Sequence, residues 1–313
     1  MQPKMSVNIG KLKLKNPVMV ASGTFGYAEE FRDFIDLKKL GAIVTKTITL
    51  KPRQGNPAPR TCETPAGMLN SIGLENPGID AFLKEKLPPL AKIGVPVIVS
   101  IASEHDPDEF IELVKRLDKV NNVAAIELNI SCPNIKDLKD KSKVKTLISQ
   151  DKDATYRLVK SVRKATKKVL ITKLSPNVSS IVEIASAAQD AGSDAIALIN
   201  TLTGMSIDIQ KRAPKLSVVT GGLSGPAIRP VAVRMVWEAY NKIDIPIIGM
   251  GGIIDTASAL EFFIAGASVI SVGTANFINP SASVEIISGV QKYLRQNNIK
   301  DINGLIGGLE IET

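Results

Sequence analysis

Short runs of β-branched and aliphatic residues recur along this chain, at Pro17–Ala21, Ala42–Thr47, Val95–Ile101, Ala125–Asn129, Val169–Leu174, Ala195–Ile199, Ile245–Gly249 and Val269–Val272. Between them lie segments whose apolar residues fall three and four apart: Ala28–Leu40, Pro107–Val120, Ala154–Ala165, Ser179–Ala191, Ala227–Tyr240, Thr256–Ala265 and Ser281–Gln296. In one of these, Phe110, Leu113, Val114 and Leu117 mark a single helical face. Strand and helix in strict turn require a parallel sheet with right-handed crossovers, because each helix must return the chain to the start of the next strand. Eight such units in 313 residues favour a closed (β/α)₈ TIM barrel over an open, doubly wound sheet. No linker interrupts the pattern, so residues 1–313 read as one domain. The opening stretch Met1–Lys15 reads as a small hairpin capping the barrel's bottom.

Three connections are too long to be simple turns: Leu50–Gly78, Ile130–Gln150 and Thr201–Pro226. All follow strand carboxyl ends, so in a barrel they open on one face, where long ordered loops carry function. Composition narrows what that face can do. The 39 Lys+Arg against 31 Asp+Glu give a formal charge of +8, which suits an anionic ligand, an acidic partner or nucleic acid. Aromatic residues make up only 4%, and no run interleaves Arg with Phe or Tyr as a base-stacking platform would, so nucleic acid is not expected. Only Cys62 and Cys132 are present, too few for a disulfide framework. With no secretory signal pattern and no apolar run of membrane-spanning length, a cytoplasmic protein is expected, with no membrane association.

The stretch Asn129-Ile130-Ser131-Cys132-Pro133-Asn134 gathers two amides, a hydroxyl and a thiol at the end of an apolar strand, which Pro133 terminates. Such a loop can hold a polar heterocycle while Cys132 accepts a proton; a buried structural cysteine beside a turn is the competing reading. Gly249-Met250-Gly251-Gly252-Ile253 and Gly273-Thr274 follow the last two strands, where barrels commonly bind phosphate through backbone N–H groups. The Rossmann spacing is absent, which points to a mononucleotide such as flavin mononucleotide (FMN) rather than a dinucleotide. Lys46 and Lys173 sit inside strands, where an unpaired ammonium is costly, and both are expected to point to the site rather than snorkel outward. A fixed cation beside a flavin stabilises the negative charge of its reduced form. Asn70-Ser71-Ile72-Gly73-Leu74 and Asn200-Thr201 add neutral hydrogen-bonding groups, although asparagine is also a routine turn residue.

Taken together, Asn129–Asn134, Asn70-Ser-Ile-Gly-Leu-Glu-Asn-Pro-Gly78, Asn200-Thr-Leu-Thr-Gly-Met205 and Gly221-Gly-Leu-Ser-Gly-Pro226 resemble the class 1 dihydroorotate dehydrogenases. The resemblance covers roughly Val7 to Phe277, and Gly73–Gly78 is most similar to the class 1B catalytic subunits. It implies oxidation of dihydroorotate to orotate in pyrimidine synthesis, with Cys132 removing a proton from carbon five while a hydride leaves carbon six for FMN. A thiolate suits that role because nearby positive charge brings its pKa toward neutrality. Lys46 is similar to the family lysine that touches both flavin and substrate. The resemblance assigns Asn70, Ser71, Ile72, Gly73, Leu74, Asn129, Asn134, Asn200 and Thr201 to the substrate. It assigns Ser22, Thr47, Lys173, Ile199, Gly225, Gly251, Gly252, Gly273 and Thr274 to the flavin, with Lys46 and Asn129 also touching it.

Two departures stand out. Family members often have Asn in the third strand near the flavin, where this chain has Ser100, and the usual glycine-rich stretch after Asn134 is replaced by Ile135–Lys143. The lone His105 reads as a helix-start residue. Class 1B also implies a homodimer combined with a second subunit that carries FAD and an iron–sulfur cluster. Independently of the family, two cysteines cannot supply the four ligands a cluster normally takes. Electrons must therefore pass to a diffusible acceptor or another protein. The alternatives are a class 1A-like, fumarate-using homodimer and another FMN barrel acting on a pyrimidine–dihydropyrimidine pair, such as a reductase of uracil, which lacks the carboxylate Lys46 should attract. A barrel that merely binds a phosphate-bearing ligand is the non-enzymatic reading.

Overall fold

The computed structural model describes residues 2–103, 106–131 and 147–311. The chain opens with a hairpin of β1 (Val7–Ile9) and β2 (Leu12–Leu14), then runs β3 (Val18–Val20), β4 (Ala42–Val44), β5 (Thr61–Thr64), β6 (Gly67–Asn70), β7 (Val97–Ile101), β8 (Ala125–Asn129), β9 (Val169–Lys173) and β10 (Ala195–Leu198). It continues with β11 (Leu202–Gly204), the two-residue strands β12 (Ile207–Asp208) and β13 (Ala213–Pro214), β14 (Gly221–Ser224), β15 (Ile247–Gly249) and β16 (Val269–Val272). Strands β3, β4, β7, β8, β9, β10, β15 and β16 close into a barrel in chain order, every pair parallel. Each of the eight falls within one of the apolar runs, so the (β/α)₈ expectation holds.

Helices wrap the barrel: short α1 (Gly78–Ala81) and α2 (Leu87–Ala91), then α3 (Pro107–Asp118), α4 (Lys152–Ala165), α5 (Ile181–Asp190), α6 (Arg229–Tyr240), α7 (Thr256–Ala265), α8 (Ala275–Ile278) and α9 (Ala282–Gln296). On α3 the buried residues are Phe110, Leu113, Val114 and Leu117, the face expected from their spacing. Fully burying a side chain of this kind stabilises by roughly 1.5–3 kcal/mol. Asp106, Asp151, Ser180 and Asp255 cap α3, α4, α5 and α7 by accepting first-turn N–H groups.

One expected helix is absent. Ala28–Leu40 forms only two 3₁₀ turns, Glu29–Phe31 and Leu37–Lys39. Ala28 lies at φ 67°, left-handed backbone outside any helix, and Phe31 stacks on buried Phe25 with ring centres 3.9 Å apart. The aromatic contact wins over the helical spacing.

The β1–β2 hairpin covers the strands' amino ends, as expected. Gly10, at φ +53°, sits against the side chain of Asp194, which precedes β10. Asp194 also receives Arg163 Nη1 at 2.8 Å and the N–H of Leu170 at 2.8 Å, tying hairpin, α4, β9 and β10 together.

At the opposite end, the long connections after β4 and β10 are not irregular. They supply β5–β6 and β11–β14, which pair into one antiparallel sheet in the order β11-β14-β6-β5 across the barrel mouth. The connection after β8 lies largely outside the described residues, as do His105, Cys132 and Asn134. Among the described residues, no helix is long and apolar enough to cross a membrane.

Candidate active site

The strand ends converge on a network of amides and hydroxyls. Asn129, last in β8, donates from Nδ2 to Thr47 Oγ1 at 3.1 Å, and Thr47 Oγ1 lies 3.0 Å from Ser100 Oγ. Asn129 Oδ1 accepts from Ser131 Oγ at 3.2 Å and from Asn200 Nδ2 at 3.3 Å; the same Nδ2 donates to Ser131 Oγ at 2.8 Å. Four strand ends are thus linked side chain to side chain, which fixes the amides before any ligand arrives. Lys173, only 4% exposed, donates across the mouth to Ser22 Oγ at 3.2 Å. That hydroxyl is a weak partner for a buried ammonium.

Two cavities adjoin this network. The larger, of about 560 Å³, is lined by Ser22, Lys173, Ile199, Gly225, Gly251, Gly252, Gly273 and Thr274, together with Met68, Ser224 and Phe277. All eight of the first group were assigned to the flavin from the sequence. The smaller, of about 180 Å³, is lined by Lys46, Thr47, Asn70, Ile72, Gly73, Leu74, Asn129, Asn200 and Thr201. Ser22, Lys173, Asn200, Thr201 and Met68 line both, so the two cavities share a wall.

Two expected residues stand back from the cavities. Ser71 is fully buried, its Oγ accepting from Asn56 Nδ2 at 2.9 Å, so it holds the loop rather than faces the space. Ser100 is fully buried behind Thr47. Cys132 and Asn134 lie outside the described residues.

Other site residues were not legible in the sequence. Asn76 is 5% exposed and ties residues 49–78 into one unit: its Oδ1 accepts from Thr49 N and Gly78 N, and its Nδ2 donates to Leu74 O at 2.7 Å and Thr49 Oγ1 at 2.8 Å. This knot holds Gly73 and Leu74 at φ 74° and 59°, where they line the smaller cavity. Asn177 braces the other side, donating to Thr201 O at 3.3 Å and accepting from Thr203 N at 2.9 Å. Ser224 accepts from Thr274 Oγ1 at 2.8 Å, joining the mouth sheet to the last strand's end. A proline after each of Asn76 and Ser175, or a Gly-rich segment at Ser224, reads in sequence only as a turn.

Nearby ionisable groups are shaped by the same loops. Asp255, which caps α7 beyond Gly252, is held below the usual carboxylate range by the Ser258 hydroxyl and N–H and by the Arg229 guanidinium. Burial drives the Tyr27 phenol well above its ordinary value, with Glu30 adding to the effect.

The family model for dihydroorotate dehydrogenase matches residues 4–294 of this chain. The chain belongs to the dihydroorotate dehydrogenase family. Its similarity to curated dihydroorotate dehydrogenases runs end to end. It is 54% identical over 310 residues to a protein of Trichlorobacter lovleyi, covering 99% of this chain and 100% of that one. It is 53% identical over 308 residues to one of Geotalea uraniireducens, covering 98% and 99%. Both carry the name dihydroorotate dehydrogenase B (NAD(+)), catalytic subunit. The family is one of flavin-dependent oxidoreductases.

Proposed function

We propose that this chain is the catalytic subunit of a class 1B dihydroorotate dehydrogenase, oxidising dihydroorotate to orotate in pyrimidine synthesis. The observation that carries this reading is the shared wall of Lys173, Asn200 and Thr201 between a cavity of about 180 Å³ and a larger one of about 560 Å³. A small ring in the first would lie against a planar acceptor in the second.

The larger cavity suits FMN. Among the described residues, Ser271 Oγ and Thr64 Oγ1 on its wall are buried without a hydrogen-bond partner, and Lys173 has only a hydroxyl for its ammonium. Gly225, Gly251 and Gly252 adopt φ of 90°, 126° and 78°, backbone that glycine takes at little cost and that lets a loop wrap a phosphate. FMN, when bound there, supplies the acceptor for the hydride that leaves carbon six of the substrate. Everything else in the reaction belongs to the chain. Cys132, as thiolate, takes the proton from carbon five, so dihydroorotate loses one proton and one hydride and becomes orotate. The Lys46 ammonium attracts the substrate carboxylate and keeps it in place. Asn70, Asn129, Asn134 and Asn200 hold the ring's amide edges, with Ile72, Gly73, Leu74 and Thr201 closing round it and Ser71 bracing the loop. Ser22, Thr47, Ile199, Gly273 and Thr274 hold the cofactor, and Ser100 acts behind Thr47.

The electrons then leave through a partner subunit, an iron–sulfur flavoprotein carrying FAD; two cysteines cannot ligate a cluster, and the relatives are named as catalytic subunits. A second copy of the chain completes the assembly. Support comes from the excursion between β11 and β14, which exposes Met205, Ile207, Ile209 and Val219, with Ile209 78% exposed.

The test is the absorption spectrum of the purified chain before and after adding dihydroorotate without oxygen. A bound flavin that bleaches, and bleaches about 10²–10⁴ times more slowly in Cys132→Ser, is the expected result. Flavin that stays oxidised in the wild type rejects the substrate assignment.

A further inference from the structure

Ser131 is fully buried, and the reaction as proposed gives its hydroxyl no task. Its Oγ accepts from Asn200 Nδ2 at 2.8 Å and donates to Asn129 Oδ1 at 3.2 Å. Its carbonyl oxygen accepts from the same Asn200 Nδ2 at 3.3 Å. Both amides line the smaller cavity.

An asparagine can turn either its oxygen or its nitrogen to a ligand, and its other hydrogen bonds decide which. For Asn200 two backbone groups decide. The Thr201 N–H donates to Oδ1 at 2.8 Å, and the Ser131 carbonyl, which can only accept, takes Nδ2. Asn129 has no such anchor among the described residues. Its Nδ2 donates to Thr47 Oγ1 at 3.1 Å, but a hydroxyl both donates and accepts and would hold either orientation. What orients Asn129 lies on its other side, where Oδ1 meets Asn200 Nδ2 at 3.3 Å and the Ser131 hydroxyl. That hydroxyl already accepts from Asn200, and among the described residues its own proton has only Asn129 Oδ1 to go to. A turned Asn129 would set two NH₂ groups against each other and leave the serine proton buried without an acceptor. With these bonds made, Asn200 Oδ1 keeps a lone pair and Asn129 Nδ2 keeps a hydrogen for a ligand.

Lys46 and Asn200 each lie two residues past a barrel strand, β4 and β10, which stand opposite one another in the ring of eight. A substrate whose carboxylate, on carbon six, is drawn to Lys46 therefore turns N3, across its ring, toward Asn200. We infer that Ser131 is a positioning residue that passes the backbone-set orientation of Asn200 on to Asn129. The wall then offers an acceptor for the ring's N3–H beside a donor for the neighbouring carbonyl. The inference rests on the smaller cavity being the dihydroorotate site. Without the Ser131 hydroxyl, Asn129 can present its oxygen, which repels a carbonyl.

The experiment is calorimetric titration of the FMN-loaded protein with orotate. Ser131→Ala is expected to weaken orotate about three- to tenfold, the worth of a hydrogen bond, with FMN affinity unchanged. In an Asn129→Ala background the same substitution should change orotate affinity by less than about twofold, because its action passes through that amide. A second probe, 6-carboxycytosine, has no hydrogen on N3 and an amino group on carbon four. Wild type should bind it at least about 100-fold more weakly than orotate, and Ser131→Ala should narrow that ratio. Equal binding of the two probes by wild type overturns the inference, whether or not the variant folds. So does an FMN-loaded Ser131→Ala protein that binds orotate as wild type does, or one whose loss is the same without Asn129. A variant that binds orotate normally and only bleaches more slowly with dihydroorotate would act through Cys132, which also overturns it. Wild type that binds FMN but no orotate overturns the substrate reading beneath.

Discussion

The two ends of this barrel solve the problem of buried polarity in opposite ways. At the amino end the polar groups find strong partners: Asp194 takes a guanidinium and a strand N–H, Lys168 donates to Val120 O at 3.0 Å and Val123 O at 2.8 Å, and the hairpin closes over them. Toward the carboxyl end, among the described residues, buried Lys173 has a weak partner, and Glu127 Oε1, Ser271 Oγ and Thr64 Oγ1 are buried with none. Stability is concentrated at one end and unsatisfied chemistry at the other, which is how a barrel can carry a demanding site without unfolding around it.

The contrast is broken most sharply at Lys173. Replacing it with Met should weaken FMN binding by roughly 10- to 100-fold, given about 1.5–3 kcal/mol for hydrogen bonds to a charged group, while leaving the flavin-free protein as stable as before or more so. Fluorescence titration with FMN and thermal melts of the flavin-free chain measure the two halves; a large loss of melting temperature would mean Lys173 is structural after all. Next in size is Asn76→Ala, which removes the knot beneath Gly73 and Leu74. It should raise KM for dihydroorotate about tenfold or more and cost roughly 1–3 kcal/mol, since Thr49 N and Gly78 N lose their acceptor. Steady-state kinetics with a denaturant melt separate the effects.

At the other end, Asp194→Ala should behave in the opposite sense from Lys173→Met. Leu170 N loses its acceptor and Arg163 its carboxylate, for a cost of roughly 1–3 kcal/mol in urea unfolding, with kcat and KM unchanged. A change in turnover would erase the division between the two faces. The smallest effect is one of pH. The Thr166 hydroxyl, the Lys167 N–H and the Lys168 ammonium hold the Asp118 carboxyl below the ordinary range. A carboxyl whose folded pKa is depressed contributes stability that is complete above its unfolded pKa and lost as pH falls through the folded one. Melting temperature should therefore fall less steeply below about pH 4 in Asp118→Asn than in the wild type. The difference is modest because the group is largely solvated.

The barrel was legible because burial on both sides leaves an unmistakable period: eight apolar runs separated by amphipathic segments admit few other arrangements. So were Lys46 and Lys173, because an ammonium inside an apolar run needs a reason. Ala28–Leu40 was misread because helical spacing cannot register that Phe31 stacks back on Phe25 through a left-handed Ala28. The bracing roles of Asn76 and Asn177 were hidden for another reason. Their partners lie along loops whose path is set only by tertiary structure, and asparagine in a loop looks the same whether it caps a turn or ties one. The expectation that Ser71 touches substrate came from its motif, and the motif does not reveal that Asn56 holds its hydroxyl from behind.

The sheet across the mouth has a bearing on the order in which the molecule comes into being. Asn70 of β6 pairs with Gly222 of β14, partners 152 residues apart in the chain. Contacts of such long range form late, because a large loop must close before they can be made. During synthesis, a chain that has emerged only as far as β9 holds half of this roof and nothing to complete it. The binding competence of the protein is thus a report that the barrel has already shut.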